Sequence, residues 1–182
     1  MIDAFKALGL SPRLDLADDS LRQAFRAASK HLHPDAGGGE AEFSALNEAF
    51  VLLSSPSRRL RHWLELQGLS ADPRGSIEPA LMELFSEVGA ATQKAEATIR
   101  RRDAAMSALG RAMLEQEIQS SRDAIEAVNI KVEQWISRQC EHFSELEKPT
   151  SHDLAHASQI LRDLVFLEKW RTSLRGSFSS LV

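Results

Sequence analysis

At 182 residues, 43% hydrophobic and 26% charged, the chain has room for one domain or two small ones and can bury a substantial core. Its formal charge of −4 argues against nonspecific binding to nucleic acid or to an anionic membrane, since both favour a basic balance. A single cysteine, Cys140, excludes an internal disulfide and cannot alone hold a structural zinc or an iron–sulfur cluster; it reads as a small buried core residue.

No basic segment followed by an apolar one opens the chain, so no secretory signal is expected. The longest uninterrupted apolar run, AFVLL at 49–53, is far too short to span a membrane. The expected location is the cytoplasm. Apolar residues recur at a helical period and show no convincing alternation of two, which predicts an all-α fold. Prolines 12, 34, 56, 73, 79 and 149 then mark where helices cannot continue.

After Asp18 and Asp19, either of which can cap a helix, apolar residues fall at Leu21, Ala24, Phe25, Ala28 and Leu32. Arg22, Arg26 and Lys30 are spaced four apart on another face and form one basic stripe, which His33 extends about three turns on from Arg22. Pro34 ends this helix, and the three glycines of KHLHPDAGGGE let the chain reverse. A second helix carries Phe43, Leu46, Phe50 and Leu53 along one face until SSPS closes it. The expectation is an antiparallel hairpin whose tip bears His33, Pro34 and Asp35 beside a basic ridge. By itself a histidine near a helix end with a proline beyond it is an ordinary stop signal.

QGLSADPRGSIEP at 67–79 concentrates Gly, Pro, Ser and Asp and reads as a linker. The predicted organisation is a first domain at 1–68, a linker at 69–79 and a helical bundle at 80–182, whose first helix begins near residue 76. Ile77, Leu81, Leu84, Val88, Ala91 and Ala95 alternate steps of four and three, as a bundle seam does. Met82 and Phe85 widen that apolar arc to about 160°, more than a simple core face needs. Either the bundle covers a wide face or these two residues stand exposed.

One helix from Ile77 to Leu146 would be about 100 Å long, so the chain must turn, near Gly110 or at Ser120 and Ser121 ahead of Asp123. Ile125, Val128, Val132, Trp135 and Phe143 carry the next core face. EKPTSHD then breaks the chain before a last helix with Leu154, Leu161, Leu164, Val165 and Leu167, which completes an up-down-up three-helix bundle. HDLAH at 152–156 imitates a zinc-protease motif, but Asp153 replaces the catalytic glutamate and no histidine follows, so a solvated helix start explains it. IRRRD at 99–103 reads as a solvated face, whereas Arg58, Arg59 and Arg61 read equally as surface charge or as an extension of the basic ridge.

DAFKALGL at 3–10, the basic helix, His-Pro-Asp and LNEAFVLLSSPSRRLRHW at 46–63 stand in the order of a J-domain, which the first 65 or so residues resemble. The resemblance implies docking on a DnaK-type chaperone ATPase through His33, Pro34, Asp35, Arg22, Arg26 and Lys30, none of them catalytic. Trp63 stands where J-domains often carry a tyrosine.

A J-domain followed by a helical bundle is similar to the HscB family of iron–sulfur co-chaperones. Within it, LMELF at 81–85 and LRDLVFLEKWRTS at 161–173 look like the client-binding and last helices. By that resemblance Leu81, Met82, Phe85 and Phe166 form an apolar patch that receives an IscU-like scaffold protein. The implied protein is not an enzyme, holds no metal or cofactor, and has two partners, the chaperone ATPase and the scaffold. A general J-domain adaptor for another client and a metal-dependent hydrolase built on HDLAH are the alternatives.

Overall fold

The computed structural model describes residues 3–32, 39–72, 74–148 and 153–182. All regular structure among them is helical: α1 (Ala4–Ala7), α2 (Asp18–Leu32), α3 (Glu40–Leu53), α4 (Pro56–Leu66), α5 (Leu81–Ala104), α6 (Ala108–Glu141), α7 (Phe143–Leu146) and α8 (Leu154–Ser180). The chain divides into two compact units, Met1–Arg74 with Cys140–Arg162, and Gly75–Gln139 with Asp163–Val182.

In the first unit, Asp3 caps α1 by accepting the N–H groups of Phe5 and Lys6, which would otherwise lack partners. Phe5 and Leu8 pack against Leu21 of α2 and Leu46, Ala49 and Leu53 of α3, all buried. Ser55 and Pro56 start α4 together: the serine hydroxyl accepts the Arg58 N–H, and the proline occupies a position whose own N–H would go unused.

Polar side chains of α4 complete this core. His62 is 3% exposed; its Nε2 accepts the Ala4 N–H at 3.0 Å and its ring stacks on Phe5. Arg59 is 6% exposed and donates to the carbonyls of Leu53 and Leu16 at 3.3 and 3.4 Å, with its guanidinium over the Phe143 ring. Arg59 is therefore a structural residue rather than surface charge or ridge, because a buried guanidinium must spend its donors on such acceptors. Arg58 and Arg61 are exposed.

Residues 140–162, which sequence periodicity assigns to the bundle, group with the first unit. Phe143 and Leu146 are buried there, the Leu14 N–H donates to the Glu147 carboxylate, and Ser158 Oγ accepts the Asp72 N–H at 3.0 Å. A helical apolar seam states that a face is covered but not by which neighbour. Cys140 is half-buried rather than fully so.

In the second unit the seam of α5 buries Leu81, Leu84, Val88, Ala91 and Ala95 as its spacing predicts. Ile77 precedes the helix, which begins at Leu81 and not near residue 76. Pro79 stands just ahead of that start, and the preceding stretch is tied differently, the Glu78 N–H donating to Asp163 Oδ1 at 3.0 Å.

The turn between α5 and α6 lies at 105–107, close to Gly110, with Ser107 Oγ accepting the Gly110 N–H at 3.0 Å. Ser120 and Ser121 lie well inside α6; Ser121 is buried and hydrogen-bonds Thr98 at 2.9 Å. With Arg101–Glu117 and Lys131–Glu87 at 2.6 Å each, that contact fixes α5 and α6 as antiparallel. Leu164, Leu167, Trp170 and Leu174 of α8 bury the third face, while Val165, expected in the core, is 40% exposed. Arg102 donates to the Ser180 carbonyl at the end of α8 and Arg122 to that of Leu181 just beyond it, groups that a helix end leaves without helical partners.

Candidate interaction surfaces

The first surface is the outer face of α2. Asp18 and Asp19 occupy its first turn, where negative charge meets the positive end of the helix dipole. Leu21 is buried, Ala24, Phe25 and Ala28 are half-buried, and the Phe25 ring lies 4.5 Å from that of Phe50 on α3. With that stripe turned to α3, Arg22, Arg26 and Lys30 remain exposed. Arg22 lies 3.9 Å from Asp18, but both are well exposed, and such a pair holds its partners weakly. The ridge is thus a row of cations available for long-range attraction. His33, Pro34 and Asp35 lie outside the described residues.

The second surface belongs to the second unit and is apolar. Met82 and Phe85 of α5 are 53% and 52% exposed, and Phe166 of α8 is 41% exposed. Sequence spacing leaves open whether Met82 and Phe85 are core; the structure places them, and Phe166 with them, at the surface. Trp170 joins the two phenylalanines, with its ring 5.8 Å from that of Phe85 and 6.3 Å from that of Phe166. It is only 6% exposed, so one buried indole underlies two exposed phenyl rings from different helices.

Leu81 does not share this exposure. It is fully buried, because the step from Leu81 to Leu84 continues the core seam while Met82 lies about 100° further round the helix. The spacing of the core seam already placed Leu81 inside, and it was the resemblance to the HscB family that put it in the patch and left out Trp170. The signal for Trp170 was present, since it follows Phe166 by four residues and so lies along the same stripe.

The HDLAH segment is divided. His152 lies outside the described residues, and the Asp153 carboxylate accepts the His156 N–H at 3.0 Å, the work of a helix cap. Among the described residues no group of three or more His, Cys, Asp or Glu side chains is placed to hold a metal ion, and no helix is long and apolar enough to cross a membrane.

Residues 3–62 match the family of the DnaJ domain, the stretch that forms α1 to α4. The chain carries a DnaJ domain. Over 76 residues, 40% of this chain, it is 40% identical to the chaperone protein DnaJ of Lacticaseibacillus casei. Over 60 residues, 33% of this chain, it is 45% identical to the tetratricopeptide repeat and J domain-containing co-chaperone DNJ1 of Cryptococcus neoformans. The matched stretches span only 19% and 11% of those two relatives, so the likeness concerns the DnaJ domain alone. The solved structure of the chaperone HscB from Vibrio cholerae matches with a TM-score of 0.59 and 19% identity, covering 100% of both chains. The chain thus shares the fold of HscB.

Proposed function

We propose that this chain is a cytoplasmic, non-enzymatic co-chaperone of the HscB type, which stimulates the ATPase of a DnaK- or HscA-type chaperone and delivers to it an IscU-like iron–sulfur scaffold protein. The observation that carries the reading is one DnaJ domain, bearing an exposed cationic ridge, in a chain with the HscB fold and an exposed aromatic patch. In this reading Arg22, Arg26 and Lys30 steer the encounter with an acidic chaperone face, and His33, Pro34 and Asp35 supply contacts that differ between the chaperone's two states. A ligand shifts a conformational equilibrium only through such a difference, so these residues act on the partner's ATPase without being catalytic themselves.

Met82, Phe85 and Phe166 receive the scaffold. Leu81 belongs to the proposed site only as the core residue at the start of α5. A half-exposed ring resting on a buried one is already ordered, so covering it gives up little side-chain freedom. Fully burying an exposed side chain of this kind is worth roughly 1.5–3 kcal/mol, and about half of that remains to be gained by a partner here, before association costs are met. The test is a titration of IscU-like scaffold proteins against the purified chain and its M82A/F85A variant, alongside chaperone ATPase assays. Scaffold binding that requires the patch, with intact ATPase stimulation by the variant, supports the reading. Stimulation without any scaffold binding assigns the chain to the general J-domain adaptors.

A further inference from the structure

His142 lies at the junction of α6 and α7 and His156 near the start of α8, both in the first unit and both exposed. Their rings approach to 5.2 Å between centroids, with planes at 88°. Two imidazoles whose nitrogens each lie about 2.0–2.1 Å from one tetrahedral ion have ring centres about 5 Å apart. The observed separation matches that value, in an edge-to-face contact between residues fourteen positions apart in sequence.

Both backbones are held in place. The His142 carbonyl accepts the N–H groups of Glu145 and Leu146, and the Asp153 carboxylate accepts that of His156. Glu145 adds a carboxylate on α7, where it accepts a 2.7 Å hydrogen bond from Lys148. No third side chain of a ligating type completes the group among the described residues, so water would fill the remaining positions.

We propose that His142 and His156 form a two-imidazole site for a divalent transition ion of the imidazole-preferring class, such as zinc or nickel, that clips the end of α6 to the start of α8. This site is independent of both interaction surfaces and of the HDLAH pairing, in which His156 would instead act with His152. An ion held by two side chains exchanges with solution and stabilises the folded chain only while it is supplied.

The experiment is calorimetric titration of Zn²⁺ and, separately, Ni²⁺ into the untagged chain and its H142A, H152A and H156A variants, with thermal unfolding of each. Saturable binding of one ion per chain is expected, weakened in H142A and H156A by roughly tenfold or more, since even outer-shell partners of a ligand are worth about 10–100-fold in affinity. H152A should bind as the wild type does. Added ion should raise the unfolding temperature of the wild type, reversibly with a chelator, and raise that of H142A by clearly less at the same ion concentration. The proposal is overturned by absence of saturable binding, by unchanged affinity in H142A, or by loss in H152A with retention in H142A, which would assign the ion to the pair four residues apart. Both histidines are exposed, so the variants retain the fold, which circular dichroism verifies.

Discussion

The two exposed faces of this chain work by opposite physics. The ridge on α2 is a row of cations whose field reaches about 10 Å at 0.1 M salt, so it acts before contact and tolerates imprecise geometry. The patch on α5 and α8 has no reach, because apolar surface contributes only when a partner excludes water from it. It needs shape, which Trp170 supplies from below by seating Phe85 and Phe166. A surface meant to attract can consist of one helix face; a surface meant to fit has to be assembled from two helices.

The sharpest break between the two proposed functions is at Asp35. Asp35→Asn is expected to abolish stimulation of the chaperone ATPase while scaffold affinity stays at the wild-type level. A coupled ATPase assay and a scaffold titration on the same preparation check both halves, and normal stimulation would remove the His-Pro-Asp residues from the mechanism.

Within the bundle, neighbouring residues should behave differently. Leu81→Ala should cost about 2–5 kcal/mol of stability in denaturant unfolding by opening a cavity, whereas Met82→Ala should cost under about 1 kcal/mol. Equal losses would mean that Met82 is core. Next in size, Met82→Ala with Phe85→Ala should weaken scaffold binding by roughly 30-fold, about 2 kcal/mol at the 1.4 kcal/mol that each factor of ten represents, with the ATPase response kept.

The ridge should show the smallest effect, and one that salt removes. Arg22→Glu with Arg26→Glu should slow association with the chaperone by about tenfold at low ionic strength, with the difference fading as salt screens the exposed charges. Stopped-flow association across a salt series reads this directly. A rate indifferent to both charge reversal and salt would leave the ridge with no steering role.

Much of this molecule was legible from residue order. The hairpin of α2 and α3, the basic stripe and the seam of α5 follow from the 3.6-residue period, and the positions of Pro34 and Pro56 mark helix limits. The patch was half legible: Met82 and Phe85 exceed what a core face needs, but periodicity cannot tell a wide covered arc from an exposed one. For Leu81 the seam spacing, which buries it, was the better guide than the family resemblance, which puts it in the patch; a single step to Met82 turns the side chain by about 100°.

The sequence by itself determined that the chain is helical, where most helices start and stop, and which residues carry the charge on α2, because these depend on contacts a few residues apart. Only tertiary structure decided that Arg59 and His62 serve as core polar groups, that Phe143 and Leu146 pack with the first unit, that Trp170 supports the patch and that His142 meets His156. Each of these depends on which distant face covers a given stripe. A seam of apolar side chains fixes that it will be buried, but the choice of neighbour is set by the packing of whole surfaces, and no local spacing encodes it.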